Sequence, residues 1–153
     1  MTNQPCRAPS RLPAFHPVPL RKRQDGWTPL KQAEFVGMLA ETGSVCAAAR
    51  FVGLSRESAY RLRAKPGAEE FAAAWDAALG LPQGGARPPR KFTNGELWHR
   101  AMEGVYQAAL RGGRYAGTRH KPDDCALLSL AGRLGRTKRP LAPAVPAGGS
   151  SQR

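Results

Sequence analysis

Acidic side chains are scarce in this chain. Eleven Asp and Glu stand against 24 Lys and Arg in 153 residues, a formal charge of +13, and so one-sided a balance favours polyanionic partners through long-range attraction. Cysteine is scarce too. Cys6, Cys46 and Cys125 stand far apart with no C-x-x-C spacing, and the odd count leaves at least one thiol outside any intramolecular disulfide. A reducing cytoplasm is the expected location. No apolar run approaches the ~20 residues of a membrane-spanning helix, and the N-terminus lacks the apolar core of a secretory signal, so no membrane partner is expected.

Chemistry-bearing patterns are equally thin. GARPPRK lacks the G-x-x-x-x-G-K-[ST] spacing of a phosphate loop. His16, His99 and His120 lie apart, and none pairs with a cysteine at zinc spacing. Asp123 and Asp124 adjoin, but they read as the cap and first turn of a helix, where acids are common for electrostatic reasons. No nucleophile stands beside a base. The expectation is a protein without metal, cofactor or catalytic activity.

What is present fits one small domain with tails. The charge is uneven: residues 1–26 sum to +4, residues 27–80 to zero and residues 81–153 to +9. Residues 1–26, rich in proline and basic residues without apolar periodicity, are expected to be a flexible, disordered arm. WTPLKQAEFVGMLAETG then starts a helix, with Thr28 as N-cap and Pro29 at the first helical position. Phe35, Met38 and Leu39 lie at helical spacing, Trp27 anchors the start and Gly43 ends the run.

The stretch SVCAAARFVGLSRESAYRLR predicts two short helices. One runs from a Ser44 cap to about Val52; the next runs from a Ser55 cap to about Lys65, where Pro66 stops it. Only Gly53 and Leu54 separate them, so the helices cross steeply. Ala48 and Ala49 allow their backbones to approach, and Gly53 accepts the positive φ of the turn. Val52, Leu54, Ala59 and Leu62 face inward. Ser55, Arg56, Glu57, Tyr60, Arg61 and Lys65 then form an exposed stripe at the start and along one side of the second helix. That is the geometry by which a helix meets base edges and phosphates in the major groove, with Arg50, Arg63 and Lys65 as contacts to the backbone. An ordinary αα corner in a helical bundle is the alternative reading.

A further helix over GAEEFAAAWDAALG closes the core with Phe71, Ala74, Trp75, Ala78 and Leu79. Residues 81–94 read as a Gly/Pro and basic linker. Residues 95–136 are expected to hold two more helices, about Gly95 to Leu110 with Leu97, Trp98, Ala101, Val105 and Ala109 aligned, and about Asp124 to Leu134. GGRYAGTRHKPD lies between them as a basic loop or small hairpin. Trp27, Trp75 and Trp98 are expected as core anchors. Residues 137–153 are expected to be a disordered tail.

On Ala49, Val52, Gly53, Leu54, Ala59 and Leu62, the segment resembles a bacterial helix-turn-helix. Over about residues 26–80 it is similar to small helix-turn-helix proteins of alphaproteobacteria and their phages, related in pattern to phage terminase small subunits and other homeodomain-like modules. The resemblance implies a mainly α protein, with a three- to four-helix DNA-binding domain at 27–80 followed by two further helices, and double-stranded DNA as the partner. Transcriptional regulation is the leading expectation. A terminase-small-subunit-like role in DNA packaging and a helical protein-interaction adaptor are the alternatives, and self-association is a further expected mode.

Overall fold

A computed structural model describes residues 11–21, 23–82 and 91–137. Helix α1 (Pro29–Thr42) begins at Thr28, whose Oγ1 accepts from the Lys31 N–H at 3.2 Å, and ends at Gly43, whose N–H donates to the Leu39 carbonyl at 2.8 Å. Helices α2 (Val45–Phe51) and α3 (Arg56–Arg63) start at Ser44 and Ser55. Helix α4 (Glu69–Ala78) carries two acids in its first turn, where they suit the unpaired N–H groups. Helix α5 (Asn94–Glu103) opens with a capping box between Thr93 and Glu96, and α6 (Asp124–Thr137) follows Asp123, whose Oδ1 accepts from the Ala126 N–H at 2.9 Å. Between α5 and α6 run two antiparallel strands, β1 (Val105–Arg111) and β2 (Arg114–Lys121). Among the described residues the chain is thus mainly helical, with six helices and one two-stranded sheet. None of these helices is long and apolar enough to cross a membrane.

The helix expected over 95–110 stops at Glu103. Gly104 takes φ 70° and ψ −162°, a conformation outside any helix, and Val105 and Tyr106 favour the extended chain that follows. Val105 and Ala109, expected on a helical stripe, are strand residues. The turn that pairs the strands is Gly112-Gly113, both residues at positive φ, flanked by the partners Arg111 and Arg114. Two such residues between extended segments are a strong hairpin signal. Trp98, expected as a core anchor, is instead 56% exposed on α5. Gly37 on α1 lets the hairpin approach, because a Cβ there would overlap the Tyr115 ring.

The main core unites α1 to α4 with the hairpin and with a segment expected to be flexible. Leu12, Phe15 and Val18 are buried beside Phe35, Leu39, Leu62, Phe71 and Trp75. The Phe15 ring meets Phe71 edge-on at 5.7 Å, and its backbone exchanges two hydrogen bonds of 2.9 Å with Tyr106. The fully buried Gln32 side chain on α1 accepts from the Val18 N–H at 2.8 Å and donates to the Val18 carbonyl at 3.3 Å. The arm reading of residues 1–26 therefore fails for 11–21. A helical or strand period misses these apolar residues because they recur every third position, the repeat of an extended proline-rich chain. Residues 1–10, the greater part of the expected linker (83–90) and the tail beyond Thr137 lie outside the described residues.

Helices α5 and α6 build a second, smaller core from Leu97, Ala126 and Leu130, with Phe92 and Ala101 against it. A polar cluster joins this pair to the main core. His16 Nδ1 lies 2.6 Å from Glu70 Oε2 on α4, His16 Nε2 lies 2.6 Å from Asp123 Oδ2, and Arg100 Nη2 on α5 lies 2.5 Å from Glu70 Oε1. Each ring nitrogen of His16 thus faces a carboxylate, and the Arg100 guanidinium supplies a cation to the Glu70 carboxylate. Burial pushes the Glu70 carboxyl up. The hydrogen bonds from the His16 ring and backbone N–H, with the charges of His16 and Arg100, outweigh it and hold the group at about 2. Asp123 is likewise lowered: burial raises it, while the Ala126 N–H, His16 and Arg100 outweigh that.

Two predictions test this packing. Phe15→Ala should lower stability by about 3–5 kcal/mol, the usual cost of emptying a buried phenylalanine site; a urea midpoint equal to wild type would detach the segment from the core. Because Glu70 is depressed from 4.5 to about 2 on folding, the stability it contributes is complete above about 4.5 and is lost as the pH falls toward 2. Urea midpoints should drop over that interval and drop less in Glu70→Gln, whereas equal pH profiles for the two proteins would remove Glu70 from the linkage.

Candidate nucleic-acid interface

The corner between α2 and α3 is built by its backbone. Gly53 sits at φ 73°; its N–H donates to the Arg50 carbonyl at 3.1 Å, and the Leu54 N–H donates to the Ala49 carbonyl at 2.9 Å. This bond pair is the Schellman arrangement, which satisfies the last carbonyls of α2 and reverses the chain at once. Ser55 then caps α3, its Oγ accepting from the Ser58 N–H at 3.2 Å. The Ser58 hydroxyl donates to the Ser55 carbonyl at 2.7 Å and accepts from the Trp27 indole N–H at 3.2 Å, which ties the start of α3 to the entry of α1. Ala48, Ala49, Val52, Ala59 and Leu62 are buried, and Leu54 packs against them.

The opposite side of α3 faces solvent. Ser55, Arg56, Glu57, Tyr60, Arg61 and Lys65 are all exposed, as is Arg50 at the end of α2. Arg50 and Arg56 flank one shallow depression of about 320 Å³, floored by Ala49, Gly53 and Leu54. Arg61 lies 3.8 Å from Glu57 one turn earlier, both side chains 79% exposed. So exposed a pair contributes at most about 0.5 kcal/mol and yields readily to a stronger anion. Tyr60, half-exposed, rests its ring on Trp75 at 5.4 Å, so its hydroxyl end is presented from a rigid base.

Arg63 departs from the expectation. Its guanidinium lies over the Trp75 ring, 5.2 Å from the centroid, and its Nη2 is 2.7 Å from Asp76 Oδ1, a close charge contact off the hydrogen-bonding direction. Asp76 neutralises this arginine, which holds α3 on α4 instead of facing a partner. Of the residues singled out in the sequence, the fold thus gathers Arg50, Ser55, Arg56, Glu57, Tyr60, Arg61 and Lys65 on the outer surface of one corner and turns Arg63 inward.

Sequence reasoning also missed a neighbour of this corner. Phe51, the last residue of α2, is exposed and meets the Tyr115 ring edge-on at 6.4 Å. The Tyr115 N–H donates to Glu41 at the end of α1, 2.8 Å away. The tip of the β-hairpin therefore stands beside the end of α2, next to Arg50. A small hairpin over 112–123 was among the expectations, but no local pattern in the sequence signals that its tip meets Phe51.

The His16 cluster offers no free base, since a carboxylate occupies each ring nitrogen. Among the described residues no group of three or more His, Cys, Asp or Glu is arranged to hold a metal ion, and Cys46 and Cys125 are exposed free thiols. Comparison with protein-family models, with curated proteins and with solved structures returned no match.

The turn makes its own prediction. Apart from Gly53 itself and its chain neighbours, no described atom lies within 4 Å of where a Cβ on Gly53 would sit, so the cost of a side chain is conformational. Gly53→Ala should lower stability by about 1 to 2 kcal/mol, read as a reduced urea midpoint; an unaltered midpoint would mean that the backbone at 53 can leave the left-handed region freely.

Proposed function

We propose that this chain binds duplex DNA, with α2, its turn and α3 acting as a helix-turn-helix and α3 lying in the major groove. The observation that carries the reading is the division of α3 into two faces. Ala59 and Leu62 are buried, whereas Arg56, Tyr60, Arg61 and Lys65 face solvent directly after a tight left-handed turn. An α-helix fits the major groove, and its first residues reach base edges there. In this reading Arg56 and Arg61 pair with guanine edges, Tyr60 touches a phosphate or a thymine methyl, and Ser55 and Glu57 lie near the bases at the helix start. Arg50 and Lys65 hold phosphates. Arg63 has a structural role. Control of transcription is the task such a small, non-enzymatic reader best suits.

A protein-partner reading rests on a different observation. Trp98 and Met102 on α5 and Leu127, Leu128 and Leu134 on α6 are exposed, an apolar set suited to another polypeptide, including a second copy of this chain. The two readings respond differently to salt. Phosphate neutralisation makes affinity fall steeply as salt rises, whereas an apolar contact changes little.

The test is binding of the full chain to duplex DNA, first of random sequence and then of fragments selected from a genomic library. Arg61→Ala should weaken binding to a selected fragment by about 1–3 kcal/mol and relax its sequence preference. Unchanged affinity and preference would take Arg61 out of the interface, and the absence of any salt-dependent affinity for duplex DNA would defeat the reading as a whole.

A further inference from the structure

The β-hairpin has two unlike faces. Tyr106, Ala108, Leu110 and Tyr115 pack into the main core, so strand alternation places Val105, Gln107, Ala109 and Arg111 of β1 on the outer face. Their partners across the ladder are Lys121, Arg119, Gly117 and Arg114. A bulge between Ala109 and Leu110 makes this possible. It leaves Ala116 without an opposite residue, which shifts the alternation on β2 so that Tyr115 turns inward while Arg114 and Arg119 share the outer side.

Every charged residue from Val105 to Lys121 is therefore a cation on that one face. Arg111, Arg114, Arg119 and Lys121 are exposed, and none makes an ion pair with a carboxylate among the described residues. At the base of the hairpin, Arg119 and Lys121 line a groove of about 660 Å³ with Arg11 of the N-terminal segment on its other wall. The seven residues of β1 extend roughly 20 Å, close to the rise of six base pairs of duplex DNA. Elsewhere the fold pairs its interior arginines: Arg63 with Asp76 and Arg100 with Glu70. Among the described residues, the hairpin's cations lie along a line with no carboxylate partner.

We infer that the outer face of the β-hairpin is a second nucleic-acid contact, which grips the phosphate backbone of the duplex that α3 reads. The inference rests on the DNA-binding reading above. Duplex backbone is favoured over other polyanions by what the face omits. Single strands are held by stacking on aromatic rings, but Tyr106 and Tyr115 turn inward here. An anionic membrane favours basic residues mixed with large exposed apolar ones, and this face exposes none. The tip also meets α2 through Tyr115 and Phe51, which sets the hairpin beside the helix that leads into α3.

The test compares wild type, the Arg111→Gln/Arg114→Gln/Arg119→Gln variant and Arg61→Ala on a fragment selected from the genomic library, between about 50 and 200 mM salt. The three arginines are exposed, and circular dichroism checks that the variant keeps its fold. The slope of log affinity against log salt should flatten by about 2 to 3 in the hairpin variant, since each lost phosphate contact removes about 0.9. Two results would overturn the inference and leave the reading of α3 intact: an unchanged slope in the hairpin variant while Arg61→Ala weakens binding, or wild-type binding to vesicles rich in anionic lipid that matches DNA binding and falls equally in the variant. Absence of duplex binding by wild type would remove both.

Discussion

The contact on which the rest depends is the packing of Trp75. Its ring lies against Phe35 of α1 at 4.9 Å, Phe71 of its own helix at 6.0 Å and Tyr60 of α3 at 5.4 Å, while Arg63 covers it from α3. A ring of that size, buried on several sides, admits one arrangement of its neighbours. It therefore decides which side of α3 faces the core and which faces water. With Ala59 and Leu62 turned in, Arg56 and Arg61 have nowhere to point but outward. The polarity of the candidate interface is a consequence of hydrophobic packing beneath it.

Charge follows the same logic. A guanidinium near the core must be neutralised or be expelled, because an unpaired buried charge is strongly unfavourable. Arg63 and Arg100 meet carboxylates, and Arg133 donates to the Phe92 carbonyl at 2.6 Å. Three acids are engaged where the fold's elements meet, Glu70 and Asp123 on His16 and Asp76 on Arg63, and the exposed Glu41 holds the backbone of Tyr115. The positive excess remains on the surface. A net charge read from composition becomes a directed field only through this sorting.

Local signals were read well where the chain itself carries the cause. Thr28, Ser44 and Ser55 cap helices because each oxygen reaches an N–H three residues on, and Gly53 turns because no side chain resists it. Signals that need a distant partner were not legible. Leu12, Phe15 and Val18 gain burial only when α1 offers Gln32 and β1 offers Tyr106. A proline-rich segment with no such groove would stay solvated. The helix expected through Val105 failed because apolar spacing over 95–110 fits either period, and pairing with residues 114–121 decided between them. Trp98 shows the same limit from the other side: it shares an apolar helical spacing with Leu97 and Ala101, yet the helix turns it to water.

By itself the sequence determined the caps of α1, α2 and α3, the sharp corner at Gly53, and the surplus of positive charge, because each arises within a few residues or from a sum. Only the tertiary structure decided that the N-terminal segment enters the core, that Arg63 is held on Trp75 beside Asp76 while Arg61 keeps only an exposed contact with Glu57, and that the cations of residues 111–121 line up on one side. Those outcomes depend on which surfaces meet across the fold, and burial and charge pairing act between groups that lie far apart along the chain.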